Sequence, residues 1–448
     1  MATVQLPQIC FDDVRGEHLL IALSGGADSV ALTWLLARSR EEYALRLTAA
    51  HLNHGIRGAD ADADAALCRT LCEGLGIPMI EGRADVPRIA RETGQGLEAA
   101  ARDARYQFLR EARARCGADR IALAHHLDDQ AETVLMHLLR GTGPEGICGM
   151  SRISGDLYRP LLEVRKAALV QFLEGAGISW REDATNAMAD NPRNALRLNV
   201  LPEIEKSYPS AAESIARYAR IARIESEFIA RQTDSFLAGR VERGPWGWRN
   251  ASGPAEEAVL RRCIRRICGA NLPAQRLVEA VALWQLPRGR TELGGGWTAE
   301  RTGSALYLMH ASARAPAEVP LNPSGVTVLP GVCRVRVELG DYPIEPENPL
   351  VEVVDADALD GAVLRTRRSG DRIHPLGAPG SRLLSDYLTD RRIDRPLRDF
   401  IPLIARGGRI LWVGGAIIAE EARISGATRM RARITLLPIT DENPEVCK

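Results

Sequence analysis

Leu19-Leu20-Ile21-Ala22-Leu23-Ser24-Gly25-Gly26-Ala27-Asp28-Ser29 is the stretch from which the fold of this chain is read. Leu19–Leu23 is a short apolar run that reads as a buried strand. It passes through a serine and two glycines into a helical pattern beginning near Asp28. Glycines let the backbone turn tightly and approach a ligand, and the helix amino terminus behind them offers amide donors to phosphate oxygens. No Gly-Lys-Ser/Thr follows, so the loop is not of the Walker type.

Working outward, Leu45–His51, Pro78–Glu81 and Arg120–Ala124 read as further strands, and the segments after Ala59, Leu97 and Asp129 read as helices. This alternation predicts an α/β domain with a parallel sheet, whose ligands bind in the loops after the strands. A break follows at Tyr208-Pro209. Ser210 and Glu213 have capping-box spacing, and Ile215, Tyr218, Ile221, Ile224 and Phe228 mark one face of a long amphipathic helix. Ala255 to Leu286 continues in helical style, and Thr291 to Met309 reads as a hairpin with glycines at Gly294–Gly296. A Pro-rich stretch, Ala315 to Pro323, reads as a linker, and β-rich segments run on to about Leu437. The expected domains are 1–207, 208–314 and 320–440.

The 448 residues carry 45% hydrophobic and 26% charged side chains, the balance of a soluble globular protein of two or three domains. The longest apolar run, Ile410 to Ala419, is about half of a membrane span. No basic-then-apolar signal opens the chain, the nine cysteines include no C-x-x-C, and a cytoplasmic, reduced protein is expected. Formal net charge is zero, but it is unevenly spread. Residues 1–150 hold 16 basic and 21 acidic residues, whereas residues 361–434 hold 15 arginines and seven acidic residues. The basic end is therefore the candidate electrostatic arm for nucleic acid, with Arg365, Arg367, Arg368, Arg372, Arg391, Arg392 and Arg395 as its densest part. A solvated surface is the plain alternative. His374 and Tyr387 are stacking candidates, while Trp412 sits in an apolar run and reads as core. Only Lys166, Lys206 and Lys448 are lysines, against 55 arginines, a bias that codon usage and phosphate recognition explain equally well.

A second motif, His125-His126-Leu127-Asp128-Asp129-Gln130-Ala131-Glu132, follows the strand at Arg120–Ala124. Asp128 and Glu132 share a helix face. Asp129 and Glu132 also have capping-box spacing, and the histidines fit a satisfied pair at a strand end. At the carboxyl end of a strand beside a phosphate loop, these carboxylates suit Mg²⁺ or an incoming ammonium group. No third ligand is spaced for zinc with the two histidines.

The Ser24–Ser29 pattern S-G-G-x-D-S resembles the PP-loop pyrophosphatases, which split ATP into AMP and pyrophosphate. Further stretches resemble the tRNA(Ile)-lysidine synthetase family: His51-Leu52-Asn53-His54-Gly55-Ile56-Arg57, Gly96 to Arg102 with Arg105-Tyr106, Ala124 to Thr133, and Arg159-Pro160-Leu161-Leu162. So do Glu182-Asp183-x-x-Asn186, Arg193-Asn194-x-x-Arg197, Arg367 to Gly377, Leu384-Ser385-Asp386, Asp390 to Ile393 and Trp412-Val413. The likeness covers both ends of the chain. Residues 240–360 share only length and style.

The resemblance implies a Rossmann-like PP-loop domain, a mainly helical middle and a β-rich end, the last two touching tRNA. It implies ligation of L-lysine to C2 of the wobble cytidine of a CAU-anticodon tRNA(Ile), through an adenylated cytidine, with pyrophosphate and then AMP released. Reading then changes from AUG to AUA. ATP and Mg²⁺ are the implied cofactors, and a monomer or homodimer is expected. Asp28, Asp128, Asp129 and Glu132 are the expected catalytic group, the last three jointly handling metal and lysine. Ser24–Ser29, His51, Asn53, His54, Arg57 and His125 are expected at ATP. Arg193, Arg197 and the basic arm (Arg367, Arg368, Arg372, Arg391 and Arg392) are expected at tRNA, as are Arg102 and Arg105 unless these two merely solvate a helix face. A PP-loop tRNA thiolase would want a cysteine pair, and Cys116 and Cys148 stand alone. An amide ligase of small metabolites would leave the basic end idle, and a decayed tRNA binder would not keep both motifs intact.

Overall fold

Leu19, Leu20 and Ile21 are fully buried in strand β1 (His18–Ala22), which is covered on both faces as the middle of a parallel sheet must be. Alternation along the strand divides the core. Leu19 and Ile21 pack with Val30, Leu32 and Phe172 on one face, while Leu20 packs with Ile121, Leu109 and Ala112 on the other. The computed structural model describes residues 9–55, 59–181, 192–251, 253, 255–269, 272–312, 318–343, 348 and 350–437. The chain divides into two compact units, Met1–Glu227 and Phe228–Lys448.

In the first unit the elements after β1 are α1 (Ala27–Ser39), β2 (Arg46–Asn53), α2 (Ala59–Leu75), β3 (Met79–Arg83), α3 (Val86–Thr93), α4 (Leu97–Cys116) and β4 (Arg120–Ala122). There follow α5 (Leu127–Leu139), α6 (Pro144–Ile147), β5 (Ile153–Ser154), β6 (Leu157–Tyr158), α7 (Lys166–Ala176), α8 (Pro192–Ala195) and α9 (Leu201–Ser207). The sheet order is β3-β2-β1-β4-β6-β5, parallel from β3 to β6, with β5 closing the edge antiparallel. The expected strands and helices are present. α3 and the β5–β6 hairpin were not anticipated: both are short, and Asp85 capping the Arg88 amide is the signal that marks α3. The break at Tyr208-Pro209 separates α9 from the long α10 (Ala211–Arg240). Of the anticipated apolar face, Ile215 packs on Leu127, Ala131 and Leu201, whereas Tyr218, Ile221 and Ile224 are about half exposed or more.

In the second unit the helices are accompanied by more strand than a helical reading anticipates. β7 (Glu242–Gly244), β8 (Gly247–Asn250), α11 (Glu257–Cys268) and α12 (Ala274–Ala282) precede β9 (Gly289–Gly294), β10 (Trp297–Arg301) and β11 (Leu306–His310). The expected hairpin is β9–β10, and it belongs to an antiparallel sheet ordered β7-β8-β11-β10-β9. Leu260, Ile264, Leu277, Trp284 and Leu293 bury the helices against this sheet.

Two further sheets build the basic end. One contains β13 (Val326–Leu329), β14 (Cys333–Leu339), β22 (Arg431–Leu437) and β15 (Val351–Asp355), in that order. The other runs β12 (Val319–Pro320), β16 (Val363–Arg365), β19 (Leu403–Arg406), β20 (Arg409–Val413), β17 (Arg372–Ile373) and β18 (Arg382–Leu383), with β21 (Ile417–Ile418) on β20. Two short helices, α13 (Leu384–Asp390) and α14 (Arg395–Arg398), lie between β18 and β19. Val319-Pro320, expected in a linker, forms the edge strand β12, the sheet position a proline tolerates. Ala315, Pro316 and Ala317 of that stretch lie outside the described residues. Trp412 is fully buried, as its apolar run implied. No helix among the described residues is long and apolar enough to cross a membrane.

Candidate active site

The carboxyl ends of β1, β2 and β4 open into one cavity of about 670 Å³, a size suited to a nucleotide. Its floor is the glycine loop. Gly25 adopts φ +91°, a left-handed conformation that side chains resist. Gly26 is the N-cap of α1 and brings no capping side chain, so the first-turn amides are left to a ligand. Ser29 braces the turn from within the helix. Its Oγ accepts from the Ser24 amide at 3.1 Å, donates to the Gly26 carbonyl at 3.0 Å and lies 3.0 Å from Ser24 Oγ. Ala27 and Asp28 complete the lining on this side.

From β2 come His51, Asn53 and His54, all lining the cavity. His51 Nδ1 donates to the Leu23 carbonyl at 2.9 Å, which ties β2 to the loop and leaves Nε2 a buried acceptor without a partner. Asn53 Oδ1 accepts from the Gly55 amide at 2.9 Å. Arg57, with Glu182, Asp183 and Asn186 of the likeness, lies outside the described residues.

β4 leads into His125-His126 and α5. The capping box is set three residues earlier than the spacing of Asp129 and Glu132 indicates: His126 is the N-cap, its Nδ1 accepting from the Asp129 amide while Asp129 Oδ2 accepts from the His126 amide. His126 Nε2 then stands 3.3 Å from Asp129 Oδ2 and 3.7 Å from Asp28 Oδ2, so one buried imidazole joins the two motifs. Burial disfavours its charge, but Asp128, Asp129 and Asp28 outweigh that and raise its pKa. His125, which also lines the cavity, is pushed down to about 4 by burial and is neutral at pH 7. Burial raises Asp28 against the pull of His126 and Lys166, and one Asp28 oxygen, Oδ1, is buried without a partner.

Of the three carboxylates of α5 only Asp129 lines the cavity. Asp128 accepts from the Lys166 amide at 2.8 Å and pairs with Arg165 Nε at 3.1 Å, which moors α7 to α5. Burial pushes its carboxyl up, yet His126, the Lys166 amide and Arg165 bring it down to about 2. Glu132, fully buried, is held by Arg193 Nε at 2.8 Å and Arg197 Nε at 2.5 Å. Asp129 lines the cavity and is shared among His126, Arg193 at 3.2 Å and Arg197 at 2.9 Å. Burial raises its carboxyl, but His126, His125 and Arg193 hold it below the usual range. Among the described residues no three His, Cys, Asp or Glu side chains form a metal-binding group. The joint set expected at metal and lysine is thus divided: all three members pair with arginines, and only Asp129 also lines the cavity. Arg193 and Arg197, expected at tRNA, are those arginines' main pair. They are aimed at α5 by α8 and the widened π turn Leu196–Val200.

Arg102 and Arg105 are both exposed, with guanidinium groups 5.4 and 5.9 Å from the Tyr106 ring, and Arg105 lines the cavity with Tyr106. Two cations outside the expected site residues also line it, Arg181 and Lys166. Arg181 is bound to Asp60 and Asp64. The signal for Lys166 was its identity, a lysine in a chain of arginines.

In the basic end, Arg365 does not belong to the exposed group. It is buried and bidentate on Asp371, with both contacts at 2.8 Å. Arg367 pairs with Asp399 at 2.7 Å, Arg368 with Glu318 at 3.2 Å, and Arg372 donates to Ser381. Arg391 covers the buried Tyr387 ring and Arg392 turns the chain at φ +54°. Tyr387 is therefore not a free stacking surface, and His374 Nε2 donates to the Ala378 carbonyl.

Residues 2–204 match the family model of the PP-loop domain, and residues 362–434 match that of the TilS substrate C-terminal domain. The chain is 32% identical to the tRNA(Ile)-lysidine synthase of Geobacter sulfurreducens, over 94% of this chain and 93% of that protein. It is 31% identical to that of Symbiobacterium thermophilum over 94% of each, and 30% identical to that of Dehalococcoides mccartyi over 94% and 95%. With the phosphate loop at one end, the basic domain at the other and such relatives along nearly its whole length, this chain belongs to the tRNA(Ile)-lysidine synthase family.

Proposed function

We propose that the protein ligates L-lysine to C2 of the wobble cytidine of CAU-anticodon tRNA(Ile), using ATP. The observation that carries this reading is that Asp28 and Asp129, joined through the buried His126, both line a nucleotide-sized cavity floored by the glycine loop. The C2 oxygen of cytidine is a poor leaving group. Its attack on the α-phosphorus gives an adenylated cytidine and expels pyrophosphate, whose charge the loop amides stabilise. Free lysine amine is scarce near neutrality, its side-chain pKa being about 10.4. Asp129, kept ionised, binds the ammonium form. It takes one proton first, freeing the lone pair that bonds to C2 as the C2–O bond breaks and AMP departs with that electron pair, and the nitrogen then sheds its second proton to solvent.

His51 Nε2, an acceptor by its tautomer, suits an adenine amine or ribose hydroxyl, and Asn53 and His54 lie beside it. Asp28 fits Mg²⁺, because its buried Oδ1 has no partner; bound there, the ion would neutralise phosphate charge. Residues 1–207 form the catalytic domain in this reading, and 208–314 and 320–440 grip the tRNA. The exposed arginines among Arg102, Arg367, Arg368, Arg372, Arg391 and Arg392 contact its backbone, and Arg105, which lines the cavity, suits a contact with the extruded nucleotide.

The test incubates the protein with ATP, Mg²⁺, labelled lysine and the CAU-anticodon tRNA. Label is expected in the tRNA and lost when the wobble cytidine is replaced. Asp28→Ala should abolish AMP formation while leaving tRNA affinity within about twofold, since Asp28 lies in the lining of the nucleotide cavity and not in the basic end. Labelling that ignores the cytidine, or no labelling at all, overturns the reading.

A further inference from the structure

Tyr307 belongs to none of the motifs of the family likeness, yet it is among the largest fully buried side chains of the molecule. It lies on β11, where alternation sends Leu306 and Leu308 to the core beneath α11 and α12 and Tyr307 to the opposite face. On that face a polar row crosses the sheet in register. Glu242, Arg249, Tyr307 and Glu300 stand side by side on β7, β8, β11 and β10. Arg249 binds Glu242 at 2.8 Å through Nη1 and donates to the Tyr307 hydroxyl at 3.1 Å through Nε. The hydroxyl in turn donates to Asp394 Oδ2 at 2.7 Å, and Ser304 Oγ donates to the same oxygen. Burial, and then Asp394, push the phenol above its ordinary pKa, so it remains a donor.

Asp394 belongs to the basic end. It is the N-cap of α14, a place where aspartate ordinarily caps its own helix, but its side chain makes no such bond. Its carboxylate is spent on hydroxyls of the middle part instead. Around it Arg391, Arg392 and Arg395 are exposed, and among the described residues none of the three is in an ion pair. Arg398 braces the same turn, donating to Thr389 Oγ1 at 3.0 Å and to the Ile393 carbonyl at 2.9 Å. No described residue is shared between the apolar core of the middle part and the two cores of the basic end. The bridge from Arg249 through Tyr307 to Asp394 therefore lies in a polar joint, the kind at which parts of a chain move unless something fastens them.

We propose that Tyr307 and Asp394 are positioning residues for tRNA: their hydrogen bond docks the arginine-bearing turn 390–398 on the middle sheet, so that the two parts hold the tRNA as one rigid body. The proposal rests on the reading of 208–314 and 320–440 as tRNA grips. Two grips already at the spacing that the tRNA presents bind it without first losing the freedom of the joint. Where the bridge is lost, only the docked fraction of molecules is competent, and apparent affinity falls by that fraction.

The experiment compares full-length Tyr307→Phe, Asp394→Ala and the double variant with the parent. Single-molecule energy transfer between dyes at the exposed positions Gln275 and Ser324 reads the joint, and titration with whole CAU-anticodon tRNA(Ile) reads binding. The parent should give one narrow transfer efficiency and each variant a second population. With about one molecule in five still docked, each single variant should bind the tRNA about fivefold more weakly. The double variant should be no weaker than Asp394→Ala, because both changes break the same bond. The Asp394→Ala loss runs against charge, since removing an acid from a basic arm by itself strengthens phosphate binding. The KM for tRNA should rise likewise, with kcat at saturating tRNA within about twofold of the parent. A single parental population in both variants overturns the proposal, as do unchanged tRNA affinity, additive losses, or a fall confined to kcat. A parent that binds no tRNA sinks the reading of the two parts as grips; one that binds it, with variants that bind equally well, sinks only the bridge.

Discussion

Asp128 shows how a residue with catalytic credentials becomes a mooring. Both its oxygens are engaged, one by the Lys166 amide and one by Arg165, and its carboxyl is brought down to about 2 from an ordinary 3.8. A carboxyl whose folded pKa is depressed stabilises the fold above its unfolded pKa, and that contribution fades as pH falls from about 4 through 2. The gap is worth about 2 kcal/mol for this mostly buried group. Asp128→Asn is therefore expected to cost about 2 kcal/mol at pH 7, with a cost that shrinks as the pH is lowered through this window. Urea midpoints of both proteins from pH 7 to pH 2.5 measure it. A cost that stays constant over the range would show that ionisation of Asp128 is not its source.

At the scale of elements, α8 and the π turn after it are pinned to α5 by arginines on a fully buried Glu132. Removing one partner of such a pair leaves a buried charge, at about 3 kcal/mol. Arg197→Met alone should therefore destabilise the first unit by about that much, and Glu132→Met alone by a similar amount. The double variant should cost clearly less than the sum, a coupling of about 2 kcal/mol in a double-mutant cycle; additive costs would mean the contact is not what secures α8. This pairing also marks where sequence reading stopped. The strand-glycine-helix passage at Leu19–Ser29 and the second motif at the end of β4 were legible because each is local: a periodicity, a turn and a spacing. How Asp128, Asp129 and Glu132 divide their work was not legible, because it depends on Arg165, Arg193 and Arg197, far along the chain. The cap at His126 escaped for a different reason. Histidine is an uncommon N-cap, and with His126 in that place Asp129 becomes the N3 partner of the box rather than its cap. Arg365 and Arg367 are two residues apart in one basic run, and only tertiary pairing separates the buried one from the half-buried one.

For the molecule as a whole, zero net charge conceals an acidic catalytic end and a basic domain in which 15 arginines face seven acidic residues. Codon bias would account for the cations being arginines, but not for their excess over acids in one domain. The structure narrows which of them can reach a polyanion. Arg365 is committed to Asp371 inside the domain, whereas Arg367, Arg368 and Arg372 hold exposed partners that phosphates can replace. Each phosphate contact adds about 0.7 to 0.9 to the slope of log affinity against log salt. Charge reversal at the three positions, R367E with R368E and R372E, should thus weaken tRNA binding more than about tenfold at low salt and flatten the slope by about 2. The true effect is expected below the sum of three free arginines, because Asp399 and Glu318 already neutralise two of them and must be displaced on binding. Affinity for an ATP analogue, read on the same triple variant, should not change, since the altered charges lie in the basic end domain. An R365E substitution should behave differently, unfolding the domain by stranding Asp371 rather than altering the salt slope of a folded protein. Filter-binding titrations from 50 to 300 mM salt (roughly the range over which screening acts) decide the matter. An unchanged slope in the triple variant removes this face as the electrostatic grip.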